Sequence, residues 1–326
     1  MHPPLPLLGH EQTWLDQDDL AQLFCPKPQA CNEQIYSPNN NYGFSRCLKH
    51  YAGLHAADPI HAIVPHGASS YFAPGGQKRA HQQELNPAIP CILASSADCV
   101  EAFRNSGKQQ VVPIGLASLY ALRCITSNLV QPQRHGSLFF RIHGTAACRL
   151  IADDASLIQQ LLTLPDHFHP IHVCAHWNDW HQGHYEPYIK AGFRIVGAGH
   201  LRDDFFIWRH WHLLNSHQRL ITSGGGTHVW HAIQLGLPVH LIQSSYRYDV
   251  DPAFQNSVNT DQKLLQLMQQ HFNDRTDQPT QTQRDLAERF LGTQFLRAPE
   301  HIAQLLQQAK QVHWAAHEQA TRRGSQ

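Results

Sequence analysis

The sequence predicts an α/β protein built on parallel sheets, and three observations predict it. Short apolar runs alternate with amphipathic stretches from about residue 60 to residue 242, the pattern of strand–helix–strand units. The stretch from Leu220 to Ile242 holds one whole unit. It reads as a strand over Leu220 to Thr222, a glycine turn over Ser223 to Gly226, a helix over about Thr227 to Leu235 and a strand over Val239 to Ile242. The chain is also long enough, at 326 residues and 42% hydrophobic, for two ordinary domains.

Each element has a local reason. The first 30 residues are Pro-rich and irregular, with a short helical stretch near Asp18 to Phe24. Phe44, Cys47, Leu48 and Tyr51 fall on one face of a helix over 42–51. Ile60 to Gly67 reads as a strand, followed by a long polar loop over Ala68 to Pro87. Ile89 to Ser95 is the next strand, and Ser96 or Asp98 caps a helix that Gly107 stops. Val111 to Ile114 is a strand, and Leu116 to Cys124 is helical. Thr126 to Gly136 reads as a linker.

The second half repeats the alternation. Strands are expected over Ser137 to His143, Ile171 to Ala175 and Phe193 to Gly197, with helices over Asp154 to Leu164 and Phe205 to Ser216 and a short helix or turn over His184 to Ala191. With the Leu220 to Ile242 unit this makes about five strands in a doubly wound sheet. Gly236 and Pro238 end the helix of that unit. Gln262 to Phe272 has helical periodicity, and Gln283 to about Ala320 is helical. The expected division is 1–130, 131–285 and a helical tail over 286–326.

Composition narrows the function. Lys+Arg equals Asp+Glu at 25 each, which argues against a nucleic-acid binder. No apolar run reaches 18 residues, so no transmembrane segment is expected, and the Pro-rich start does not read as a signal peptide. The eight cysteines form no C-x-x-C pair and read as reduced, in a cytoplasmic protein. Histidine is abundant, at 26 residues, without compact metal-ligand spacing. No P-loop and no G-x-G-x-x-G fingerprint occurs. The turn Ser223, Gly224, Gly225, Gly226, Thr227 is either a plain tight turn or a phosphate site. In the second reading, backbone N–H groups and the positive end of the following helix meet an anion.

Several stretches, in this order and spacing, resemble GT-B-type glycosyltransferases of bacterial capsule and cell-surface polysaccharide biosynthesis. They are Val64-Pro-His-Gly67, Ile89 to Ser95, Asn105-Ser-Gly107, Val112-Pro-Ile-Gly115, Phe139 to Thr145, Gly192 to His200 and Thr222 to His228. The resemblance covers roughly residues 40 to 250. It implies two Rossmann-like domains facing each other across a cleft. It also implies a nucleotide-sugar donor held mainly by the C-terminal domain, and a glycan or lipid-linked acceptor on the N-terminal side. The diphosphate would meet Ser223 to Thr227, no resident cofactor or metal would be needed, and the anomeric centre would be inverted. A late-helix Glu that often holds the donor ribose in this fold has no counterpart; Thr227, His228 and Gln234 stand there instead. A lipid-linked acceptor would place the protein at the inner face of the membrane. The similar Ser-Gly-Gly turn of sugar-nucleotide 2-epimerases offers a second reading, and a non-catalytic binding or scaffold protein a third.

Individual residues carry paired readings. His66 is either the general base for an acceptor hydroxyl or a loop histidine bound to a carbonyl. His143 either contacts a phosphate or makes an orienting bond at a strand end, with Arg141 pointing to the same side. His200 and Arg202 follow a strand, and Arg202 would pair with a diphosphate or a sugar carboxylate. Asp203 and Asp204 supply at least one helix cap. His176-Trp-Asn-Asp-Trp-His181 reads as a loop suited to a sugar or base, or as a packing loop; a metal at His176, Asp179, His181 and His184 is the remote alternative. His228 would reach a bound phosphate, while His231 is structural. Tyr246-Arg-Tyr-Asp249 follows the last clear strand and either closes the cleft or is a surface loop.

Overall fold

The computed structural model describes residues 17–74, 77–80, 82–126, 133–144, 148–243, 245–250, 255–272 and 276–324. Thr145 and most of the expected linker lie outside them. In chain order the elements are α1 (Gln17–Leu23), α2 (Phe44–Tyr51), β1 (Cys91–Ala94), α3 (Ala97–Asn105), β2 (Gln110–Pro113), α4 (Ser118–Thr126) and β3 (Ser137–Phe140). There follow β4 (Cys148–Ala152), α5 (Asp154–Leu162), β5 (Ile171–Ala175), α6 (Trp177–His181), α7 (Glu186–Lys190), β6 (Arg194–Gly197) and α8 (Phe206–Asn215). The last are β7 (Arg219–Thr222), α9 (Thr227–Gln234), β8 (Val239–Leu241), β9 (Tyr246–Val250), α10 (Gln255–His271), α11 (Gln281–Leu291) and α12 (Pro299–Gly324). Two compact units contain them. Unit 1 is Met1–Pro26, Leu129–Leu201 and Trp208–Ala287; unit 2 is Lys27–Asn128, Arg202–Ile207 and Glu288–Gln326.

Unit 1 is built on a five-stranded, wholly parallel sheet in the order β6-β5-β3-β7-β8. By chain position that is third, second, first, fourth, fifth, the doubly wound order. Ser137 of β3 stands opposite both Ile171 and Arg219, so the two central pairings share one register. All five residues of β5 are buried, as expected of a strand covered on both faces. The core gathers Phe139, Leu157, Leu161, Val173, Tyr188 and Ile221 with Phe24, just after α1. The β7–α9–β8 unit ends its helix with Gly236 in a left-handed conformation (φ 75°), where Leu237 N–H donates to the Ala232 carbonyl.

Three local expectations change in unit 1. The strand expected over 137–143 ends at Phe140, because Arg141 turns away into buried ion pairs. The expected loop over 176–181 forms the short helix α6. The expected loop 246–249 is strand β9, antiparallel to β4, with Leu150 opposite Tyr248.

Unit 2 has α3 capped by the Ser96 hydroxyl, which accepts the Cys99 N–H at 3.2 Å, and ended by Gly107 at φ 89°. Its β1 and β2 pair in parallel. The strand expected over 60–67 contracts to a single bridge, Ile63 to Ile92. The cause is Asn39. Its buried amide donates to the Ala62 carbonyl and accepts from the Val64 N–H, both at 2.8 Å, so a side chain takes the place of a neighbouring strand. Pro65, which has no N–H, follows at once. Ile63, Ile89, Ile92, Phe103 and Val111 form the core beneath. Among the described residues no helix is long and apolar enough to cross a membrane.

Candidate functional site

In a doubly wound sheet the crevice for a ligand opens at the carboxyl ends of the strands where the order reverses. In unit 1 that place lies between β3 and β7. Two hydrogen bonds stitch the loops there. Ser223 N–H donates to the Phe140 carbonyl at 3.2 Å, and the Ser223 hydroxyl accepts the Ile142 N–H at 2.8 Å. Ser223 is thereby buried and engaged. Gly224 N–H donates to the Thr222 hydroxyl at 3.2 Å. The turn runs directly into the start of α9, where the helix's positive end lies and Val229 N–H donates to the Gly226 carbonyl at 3.1 Å.

The three glycines are required by close approach rather than by left-handed backbone. A Cβ on Gly224 would lie 2.9 Å from the Ile142 side chain. One on Gly225 would lie 2.6 Å from Leu264 and 3.0 Å from the Met268 sulfur, both on α10. One on Gly226 would lie 2.8 Å from the His228 ring, and Gly226 is extended at φ 170°.

Histidines gather around this turn. The His143 and His176 rings stack with centroids 3.9 Å apart, 13° from parallel. Trp177 lies 4.3 Å from the His200 ring. The His228 ring stacks on Phe140 at 4.5 Å. Burial, reinforced by His143 and His200, holds the His176 imidazole well below its ordinary pKa. Burial, reinforced by His210 and His143, does the same to His228. Both rings are therefore neutral near pH 7 and serve as hydrogen-bonding groups rather than charges. The Thr222 hydroxyl assigns one tautomer. It lies 2.7 Å from the Gly224 carbonyl, which can only accept, so its single hydrogen goes there. His228 Nε2, 3.0 Å from the same oxygen, must then carry a hydrogen, leaving Nδ1 as an acceptor.

Arg141 does not share the site. It is buried, donates through Nε and Nη2 to Asp154 at 2.6 and 2.9 Å, and reaches Asp179 through Nη1 at 2.9 Å. Tyr188 adds its hydroxyl to Asp154 at 2.9 Å. Sequence reasoning missed this hub, because its members stand at 141, 154, 179 and 188 with no local signature. The hub fixes Asp179 beneath His176 and His184, whose Nδ1 atoms lie 4.0 and 3.7 Å from its carboxylate. His181 turns elsewhere, 3.2 Å from the Phe24 carbonyl. Among the described residues no group of three or more His, Cys, Asp or Glu side chains is arranged to hold a metal ion. The Trp177 indole N–H and the Asn178 amide nitrogen are buried with no partner among the described residues, the condition in which donors await an acceptor.

His143, His176, His200 and His228 thus come together with the glycine turn in unit 1. His66 and Arg202 belong to unit 2. His66 is half-buried on a loop, with its carbonyl accepting the Ser70 hydroxyl and its ring 5.9 Å from Tyr42. Tyr42 sits in a left-handed conformation at φ 58°, uncommon for a bulky residue, and packs on Phe206 at 4.8 Å. Arg202 is exposed. Asp203 makes the expected cap, accepting the Phe205 N–H at 2.9 Å. Asp204 is instead drawn to the Ala30 N–H at 2.8 Å, and burial raises its pKa. No protein-family model matches the chain, and no curated protein sequence matches it.

Proposed function

We infer that the protein is a glycosyltransferase moving a sugar from a nucleotide-sugar donor to a glycan or lipid-linked acceptor in surface polysaccharide synthesis. One observation carries the reading. The doubly wound sheet of unit 1 collects a glycine turn, a helix start and four histidines at the carboxyl ends where its order reverses. In this reading the diphosphate rests against the glycine turn at the start of α9, where the helix dipole favours negative charge. The neutral His228 and His176 accept from or donate to ligand hydroxyls, and the Trp177 and Asn178 donors take an uncharged, acceptor-rich part of the donor. Unit 2 supplies the acceptor side of a GT-B arrangement. There His66 deprotonates the acceptor hydroxyl, and the oxygen attacks the anomeric carbon as the nucleoside diphosphate leaves.

The 2-epimerase alternative finds less support. Asp179, 4.0 Å from His176, and Asp154 are both held by Arg141 and are poorly placed to exchange protons. A test of the transferase reading is slow acceptor-free hydrolysis of UDP-, GDP-, dTDP-, CDP- and CMP-sugars. Release of free sugar and nucleotide from one donor, lowered in His66→Ala, is the expected result. Release of a 2-epimer, or no turnover of any donor, would count against it.

A further inference from the structure

A second pocket opens in unit 1 at the opposite, amino end of the sheet. It is a shallow hollow open to solvent. Its walls come from the turn before β5 (His167, Phe168), the first residue of β7 (Arg219), the start of β8 (His240) and the segment before α11 (Thr276, Asp277). Phe168 is its fixed floor, being nearly fully buried and part of the core. Three nitrogen-bearing side chains surround that ring. The Arg219 guanidinium lies over its face at 4.6 Å, the His167 ring at 4.7 Å and the His240 ring at 5.3 Å.

The Arg219 side chain has no carboxylate partner among the described residues, and its Nε is removed from solvent with no acceptor. The Thr276 hydroxyl is in the same condition. A guanidinium that lies flat on an aromatic ring has its planar fork of donors fixed in direction. A fork so held takes two oxygens of one oxyanion side by side. Asp277 stands exposed in the same lining, which sets the pocket against large, highly charged anions.

We propose that this pocket binds a small oxyanion, a carboxylate or a phosphate group, through the Arg219 guanidinium and the Thr276 hydroxyl. The site is independent of the glycosyltransferase reading and lies across the length of the sheet from the glycine turn. The chemistry is shared by a carboxylate-bearing metabolite and by inorganic or esterified phosphate.

The test titrates inorganic phosphate and, separately, acetate into the full chain at constant ionic strength. Calorimetry and the Arg219 Nε–Hε resonance report binding. The expected result is a saturable response at Arg219 to at least one of the two ions, which tells phosphate from carboxylate. Binding should be lost in Arg219→Gln and weakened roughly tenfold or more in Thr276→Val, the milder change that decides the matter if the first variant fails to fold. It should persist in Thr227→Asp, a variant of the other end of the sheet. Absence of a saturable response to both ions, unchanged affinity in Thr276→Val, or loss in Thr227→Asp would each overturn the proposal.

Discussion

Acidification should unfold unit 1 through its neutral histidines. His172 and His210 are buried, and burial lowers each imidazole from its ordinary pKa to about 4. The hydrogen bonding shows why protonation is refused. His217 Nδ1 must donate to the Leu213 carbonyl at 2.6 Å, so its Nε2 is the acceptor for the His172 Nδ1–H at 2.8 Å. His210 and His231 form a second buried pair at 3.0 Å, and burial lowers His231 as well. The sign follows from proton counts. Above about pH 6.5 both folded and unfolded chains hold these rings neutral, and the full stability is present. Below it the unfolded chain binds protons that the folded chain does not, so stability falls as pH falls towards 4 and levels off beneath it. A ring shifted from about 6.5 to about 4 costs about 1.4 kcal/mol at about pH 5.5 and about 3 kcal/mol at the acid limit. His172 and His210 together then remove about 3 kcal/mol at pH 5.5, a large share of the usual 5–15 kcal/mol of a domain. Urea melts followed by tryptophan fluorescence across pH 7.5 to 4.5 measure this. A midpoint that stays level over that range, or a His172 resonance titrating near 6.5, would refute the reasoning.

Three further outcomes follow from the packing. Arg141→Met leaves Asp154 and Asp179 without their cation and should cost about 3–5 kcal/mol in a urea melt; a loss below about 1 kcal/mol would mean the hub is slack. Asn39→Ala strips the Ala62 carbonyl and the Val64 N–H of their partner, a loss of about 2–3 kcal/mol read by denaturation, with wild-type stability as the contrary result. Gly225→Ala drives a methyl group into Leu264 and Met268 and should destabilise by about 1–3 kcal/mol without adding charge; a neutral effect would show that α10 yields easily.

What could be read from the sequence was what is local. The β7–α9–β8 unit, the Ser96 cap and the parallel strands of unit 1 rest on apolar runs, caps and glycines that sit next to each other in the chain. What escaped depends on distance. Strand β9 pairs with β4, which it follows by some hundred residues, and neither has a turn that announces the other. The Asn39 amide replaces a strand partner, so Ile60 to Gly67 looks like a strand yet makes one bridge. Arg141 is a charge near a strand end, and only the fold shows that Asp154 and Asp179 hold it. The glycine turn was legible as a place of close approach, but Ile142, Leu264 and Met268 were not legible as what approaches it.

The central claim is that a nucleoside diphosphate rests on the first turn of α9, and thermal shifts with UDP, GDP, CDP, CMP and dTDP test it most directly. Thr227→Asp is the informative variant, because a carboxylate at the helix start suits the dipole of the free protein while repelling a bound diphosphate. At a hundredfold excess over its dissociation constant, one nucleotide should stabilise the wild type by about 2.7 kcal/mol. Thr227→Asp should fold normally and lose that shift. No shift with any nucleotide, or an equal shift in Thr227→Asp, would contradict the account.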